Sequence, residues 1–184
     1  MPKGLTASSQ QIAIGFDITS TNPNSTDSKE IELTLNALDN EVFVVTGVKL
    51  DLEAPDLISL AGVNQDVRAS VSGVVSKQSP VASGVYTLTS SNVMATAKDT
   101  LMLSEQVFGG TEPYAVTACF QENATDTPAQ MEYIDIIATS SFFISIISSN
   151  NTSNKTVTGK LYGYRAKADA STYAALVQSE LLSA

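Results

Sequence analysis

The chain contains no histidine, no tryptophan and a single cysteine, Cys119. Without histidine, a Ser-His-Asp triad, a Cys-His dyad and a conventional zinc site cannot be built. One cysteine rules out an intrachain disulfide framework and suits folding in a reducing cytoplasm. Aromatic residues are only 7% of the chain, so it is poor in the ring platforms usual in saccharide clefts. Cations are scarce as well. Ten basic residues face nineteen acids, the net charge is −9, and the only arginines are Arg68 and Arg165. A protein whose main task is gripping phosphate needs clustered Lys and Arg. Long apolar runs are missing too: the longest, Phe142-Phe143-Ile144-Ser145-Ile146-Ile147, is strand-sized, against about eighteen residues for a bilayer span. Residues 1–10 carry no apolar signal-like segment, so no signal peptide and no transmembrane segment are expected.

What is present is alternation. Glu30-Ile31-Glu32-Leu33-Thr34-Leu35 and Val48-Lys49-Leu50-Asp51-Leu52-Glu53 place every second side chain on one face, the period of a half-buried strand. The 184 residues, 43% apolar, are enough for one packed domain. Forty-two serines and threonines suit turns and solvent-facing strand positions. Strands are expected over 11–18, 29–38, 42–53, 66–75, 84–88, 93–98, 114–121, 131–138, 142–149 and 156–168. Asp39-Asn40 reads as a tight hairpin and 150–154 as a slightly longer one. Residues 57–63 read as a helix or connector, and 98–107 have moderate helix propensity. At the C-terminal end Asp169 or Ser171 can cap a helix in which Tyr173, Leu176, Val177, Glu180 and Leu181 follow at helical spacing. The expected fold is therefore all-β: a jelly-roll-like antiparallel β-sandwich in one domain, with residues 1–10 as a flexible segment and 169–182 as a short helix. Its inward face should include Ile31, Leu33, Leu35, Val48, Leu50 and Leu52.

Little chemistry competes with this reading. Cys119, within Tyr114-Ala115-Val116-Thr117-Ala118-Cys119-Phe120, is expected to be a small buried hydrophobe. Glu132 and Asp135, three apart on a strand, point to opposite faces and so do not form a glycosidase pair. Asp39, Asn40 and Glu41, or Glu122, Asn123 and Asp126, offer oxygens to calcium but lack the EF-hand spacing. Gly109-Gly110 is a turn, without the Lys-Ser/Thr of a phosphate loop. Asn24, Asn123, Asn150, Asn151 and Asn154 each begin a glycosylation sequon, which a Ser/Thr-rich chain produces by chance. No catalytic residue, cofactor site or metal site is expected.

The charge distribution says more. No acid occurs between Asp135 and Asp169, yet Lys155, Lys160, Arg165 and Lys167 fall in that span. These four, with Tyr173, Leu176, Val177 and Leu181 of the helix, are the expected subunit interface. They would meet an acidic partner: acids such as Asp17, Asp27, Glu30 and Glu32 on a neighbouring copy, an anionic lipid or a nucleic acid. The simpler alternative is a solvated strand edge, where lysine discourages aberrant pairing.

Taken together, the serial strands, the long strand 42–53 and the closing strand Thr156-Val157-Thr158-Gly159-Lys160-Leu161-Tyr162-Gly163-Tyr164-Arg165 resemble the single jelly-roll capsid proteins of icosahedral viruses and related phage structural proteins. The resemblance implies a self-assembling virion subunit, synthesised in the host cytoplasm, with other virion proteins as partners. Members that enclose naked RNA carry a basic N-terminal arm, whereas residues 1–11 here hold one lysine. Nucleic-acid binding through an arm is therefore not expected; a shell over a membrane or another protein layer fits better. Two other classes remain open: a non-catalytic binding module, such as a surface adhesin or carbohydrate-binding sandwich, and a carboxylate-based enzyme.

Overall fold

The computed structural model describes residues 2–56, 66–79, 87–106, 114–123 and 131–182. Its elements in chain order are β1 (Leu5–Ala7), β2 (Ile12–Thr19), β3 (Thr26–Glu32), a 3-10 turn (Ala37–Asp39), β4 (Glu41–Leu52), β5 (Asp66–Ser76), β6 (Val93–Gln106), β7 (Tyr114–Asn123), β8 (Asp135–Ile137), β9 (Ser141–Ser149), β10 (Thr156–Ala168) and α1 (Ala170–Leu182). All strand pairings are antiparallel. One sheet runs β2-β10-β4-β8, with β1 beside the far end of β10, and the other runs β3-β9-β5-β6-β7. Leaving β1 and β7 aside, β2-β10-β4-β8 facing β3-β9-β5-β6 is the strand order of an eight-stranded jelly roll.

The alternating positions face one another across the two layers. Val48, Leu50, Val157, Leu161 and Phe16 from the first sheet meet Val71, Val75, Ala97, Phe142, Ile144 and Ile146 from the second. Leu33 is buried, and Ile31, Leu35 and Leu52 pack at the margin of the same core, so the expected inward face holds. Phe16 meets Phe142 edge-on at 5.6 Å and 75°, bridging the layers. Two glycines of β10 make room for rings on their own sheet. A Cβ at Gly159 would stand 2.6 Å from the Phe16 ring, and one at Gly163 2.5 Å from the Phe43 ring.

The run Val42-Phe43-Val44-Val45 breaks the alternation because β4 is buried on both faces there. Phe43 and Val45 enter the core between the sheets, while Val42 and Val44 form a second cluster with Leu5, Ala138, Ala166 and Ala168. That cluster is covered by Tyr173, Leu176 and Val177 of α1. The helix starts where Asp169 caps it: its carboxylate accepts from Thr172 N–H at 2.7 Å and from the Ser171 hydroxyl.

Several expectations are corrected. Segment 1–10 is not free, since Leu5–Ala7 pairs with β10, Leu5 is buried, and Ser8 N–H donates to the Arg165 carbonyl at 2.8 Å. Neither expected hairpin is one: β3 and β4 belong to different sheets, as do β9 and β10, so both turns carry the chain between layers. The turn chemistry itself is as read, with Asn40 at φ +52° and Asn150 at φ +56°. The strand expected over 29–38 stops at Glu32, and Thr34, at φ +50°, kinks the chain toward the 3-10 turn. Residues 98–106 are strand rather than helix, because pairing with both β5 and β7 overrides local propensity. Only Asp135–Ile137 of the strand expected over 131–138 forms, and Thr87 and Leu88 lie in a bend and turn. Cys119 is exposed, because β7 lies at the sheet margin beyond the roll. Residues 57–63 and 84–86 lie outside the described residues.

Candidate functional site

The four cations of the acid-free span do not form one free patch. Lys155 is only 2% exposed; its ammonium is ion-paired with Asp56 and lies 3.7 Å from Glu53. Asp56 also accepts from the Thr152 and Ser153 N–H groups and hydroxyls, closing the β9–β10 turn over the pair. The Lys155 ammonium, with those turn donors, holds the Asp56 carboxyl well below its ordinary range despite the opposing cost of desolvation. Arg165 is likewise committed within its own chain. Its guanidinium reaches Glu41 at 3.3 Å, the Leu33 carbonyl at 3.0 Å, and the Thr34 carbonyl and hydroxyl at 3.3 and 3.2 Å. It thereby clamps the left-handed kink at Thr34. Lys167, half-exposed, stands 3.6 Å from Asp39.

Lys160 alone of the four keeps its charge in the open, with no ion-pair partner among the described residues. It lies directly opposite Lys49 on β4 and Gly15 on β2. The adjacent row on that outer face is Asp17–Thr158–Asp51, so two cations sit beside two acids. Asp17 is already held by Lys29 at 3.1 Å.

The helical members of the expected interface turn inward onto the chain's own sandwich. Tyr173, Leu176 and Val177 pack on the second cluster, and the Leu181 side chain lies outside the described residues. Glu180, on the same stripe, is 3% exposed and accepts from the Ala138 and Thr139 N–H groups at 2.9 and 3.0 Å. Burial pushes its carboxyl above the ordinary range, against those two donors and the nearby Lys77. Of the expected carboxylates, Glu132 is exposed and Asp135 pairs with Lys77 at 3.0 Å. A pairing the sequence did not suggest lies at the mouth between the sheets, where Asp51 and Asp99 line a cleft of about 200 Å³. Desolvation, and then Asp51, raise the Asp99 carboxyl, with the Gln121 side chain opposing.

The strand β7 is broadly exposed over residues 117–122. Among the described residues it pairs with β6 alone, and its side chains from Thr117 through Glu122 are exposed except for half-buried Ala118. Phe120 leaves 52% of its surface open. Among the described residues, no helix is long and apolar enough to cross a membrane.

Comparison with protein-family models finds no match, and comparison with curated proteins finds none. Among solved structures, the tailspike protein of Acinetobacter baumannii phage AM24 aligns over 80% of this chain at 14% identity with a TM-score of 0.13. The chain spans 26% of that tailspike, and at this TM-score nothing about fold or function transfers.

Proposed function

We propose that this chain is a non-catalytic structural subunit of a viral or phage particle, a capsid or capsid-associated protein that joins copies of itself and other virion proteins through sheet edges and loops. The observation that carries this reading is β7. Sheet edges are ordinarily guarded by short length, charge or proline. Here β8 has three residues, and the margins at β2 and β3 carry Asp17, Lys29, Glu30 and Glu32. By contrast β7 is ten residues long and carries no charge from Tyr114 to Gln121. An edge left in that state suits the addition of a strand from another chain. The jelly-roll order is compatible, since capsid proteins use it, although a fold alone does not specify a role. In this reading the protein resides in the virion after synthesis in the host cytoplasm. Genome contact through residues 1–11 is no part of it, because they hold one lysine and Leu5–Ala7 is built into a sheet. Lys160, beside Lys49, is the cation left to meet acids of a neighbour.

The test is light scattering and negative-stain electron microscopy of the purified protein and of the Thr117→Lys/Cys119→Lys double variant. Both side chains are exposed in the subunit, so its melting temperature should be unchanged. Symmetric particles from the parent and none from the variant are expected. A parent that stays monomeric at high concentration, or a variant that assembles at the parent rate, overturns the reading.

A further inference from the structure

The outer face of the β3-β9-β5-β6-β7 sheet carries a row of side chains crossing four strands in register: Ser149 on β9, Ser70 on β5, Thr100 on β6 and Phe120 on β7. Side chains alternate across a sheet, and neighbouring Val71 is in the core, so this row faces away from it. The row lines a depression of about 420 Å³ together with Arg68 and Lys98. Through Ser70, Lys98 and Glu122 the depression runs into a second of about 540 Å³ that reaches Leu88. No helix lies over it among the described residues; α1 packs on the other sheet.

Each member points to the same ligand chemistry. Three hydroxyls in line both donate and accept hydrogen bonds, which suits a partner made of hydroxyls. A half-exposed phenyl ring offers an apolar face at one end. Arg68 flanks the row, exposed and with no ion-pair partner among the described residues, whereas Arg165 is fully engaged. The Arg68 carbonyl accepts from the Asn150 amide at 2.8 Å, which pins its backbone while the side chain stays available. A guanidinium presents a planar fork that matches a carboxylate. On the other flank Lys98 stands directly opposite Glu122 in the register, so a cation and an acid adjoin there. From Phe120 to Ser70 is two strand spacings, about 10 Å, the span of roughly two sugar rings.

We propose that this row binds an acidic oligosaccharide, one sugar ring lying on Phe120, the hydroxyls meeting Thr100, Ser70 and Ser149, and a sugar carboxylate meeting Arg68. This site is independent of assembly through β7, because it uses the face of that sheet rather than its edge.

The experiment is an NMR titration of the full chain with hyaluronate hexasaccharide, sialyllactose, neutral chitohexaose and inorganic sulfate. Shifts concentrated on β5, β6 and β7 are expected, with at least one acidic saccharide binding about tenfold or more tightly than the neutral one. Arg68→Ala should abolish that preference, Phe120→Ala should weaken acidic and neutral saccharides alike by about tenfold, and Thr158→Ala on the opposite sheet should leave saccharide binding unchanged. Both targets are exposed, so unchanged melting temperatures are expected and serve as the folding control. Three results overturn the proposal: no acidic saccharide shifting this row at millimolar concentration, equal binding of acidic and neutral probes, or sulfate reproducing the saccharide's shifts.

Discussion

Lys155 is ion-paired with Asp56 beneath the turn that joins β9 to β10, and Asp56 holds that turn through two of its N–H groups. A lysine that looks solvent-facing by residue type is thus an internal post. Removing one partner of a buried pair strands the other, so Asp56→Asn should cost about 3 kcal/mol in chemical denaturation. Lys155→Met, which keeps the aliphatic stem and leaves Asp56 partly exposed and still held by the Thr152 and Ser153 donors, should cost less. Since the folded carboxyl titrates below its ordinary 3.8, its contribution is complete above that pH and is lost as pH falls toward the folded value. The Asp56→Asn protein should therefore lose less stability than the parent between about pH 4 and pH 2; identical acid slopes would remove Asp56 from the account.

Glu180 has the opposite sign. Its folded value lies above the ordinary 4.5, so its share of stability is complete below that pH and declines as pH rises through the folded value. Two N–H donors each meet one of its oxygens, and glutamine would turn an NH₂ toward one of them. Glu180→Gln should flatten the pH dependence above 4.5 and cost about 1–3 kcal/mol. Hydrogen exchange at Ala138 and Thr139 is the direct readout, since faster exchange there reports a loosened helix.

The core can be probed from two directions. Leu50→Ala, at a site 6% exposed, should cost about 2–5 kcal/mol. Gly163→Ala should destabilise by about 2 kcal/mol or more, because the added carbon meets the Phe43 ring and the Val44 carbonyl, which cannot move aside. A neutral result at Gly163 would mean that the ring yields freely.

Lys160 and Lys49 stand opposite each other as like charges. Lys160→Glu should therefore raise monomer stability slightly, by about 0.5 kcal/mol, and less at high salt. If assembly slows at the same time, Lys160 faces acids on a neighbour. Unchanged assembly kinetics would leave it a solvated residue.

The long strands and the helix were legible because their patterns are local. β10 begins and ends where its alternation does, and Tyr173, Leu176, Val177 and Glu180 share the stripe that docks. The partner of each strand was not legible at the turns. Asn40 and Asn150 adopt the same left-handed backbone whether the chain folds back beside itself or crosses to the other layer, and long-range packing decides. The clustered cations misled for a related reason: Asp56, Glu41 and Asp39, which hold three of them, lie about a hundred residues or more earlier in the chain. Alternation in β7 could not show that this strand lies at a margin, which is why Cys119 read as buried.

The central strand β10 borders β2 and β4, yet it follows Leu52 by about a hundred residues. On a ribosome adding roughly 5–20 residues per second, β2 and β4 would wait something like 5–20 seconds before the strand that separates them exists. Their hydrogen-bonding edges stand open in that interval, and so does the apolar face that ends in Leu50. The nascent chain is thus most exposed to misassociation, and most in need of a chaperone, before β10 is translated.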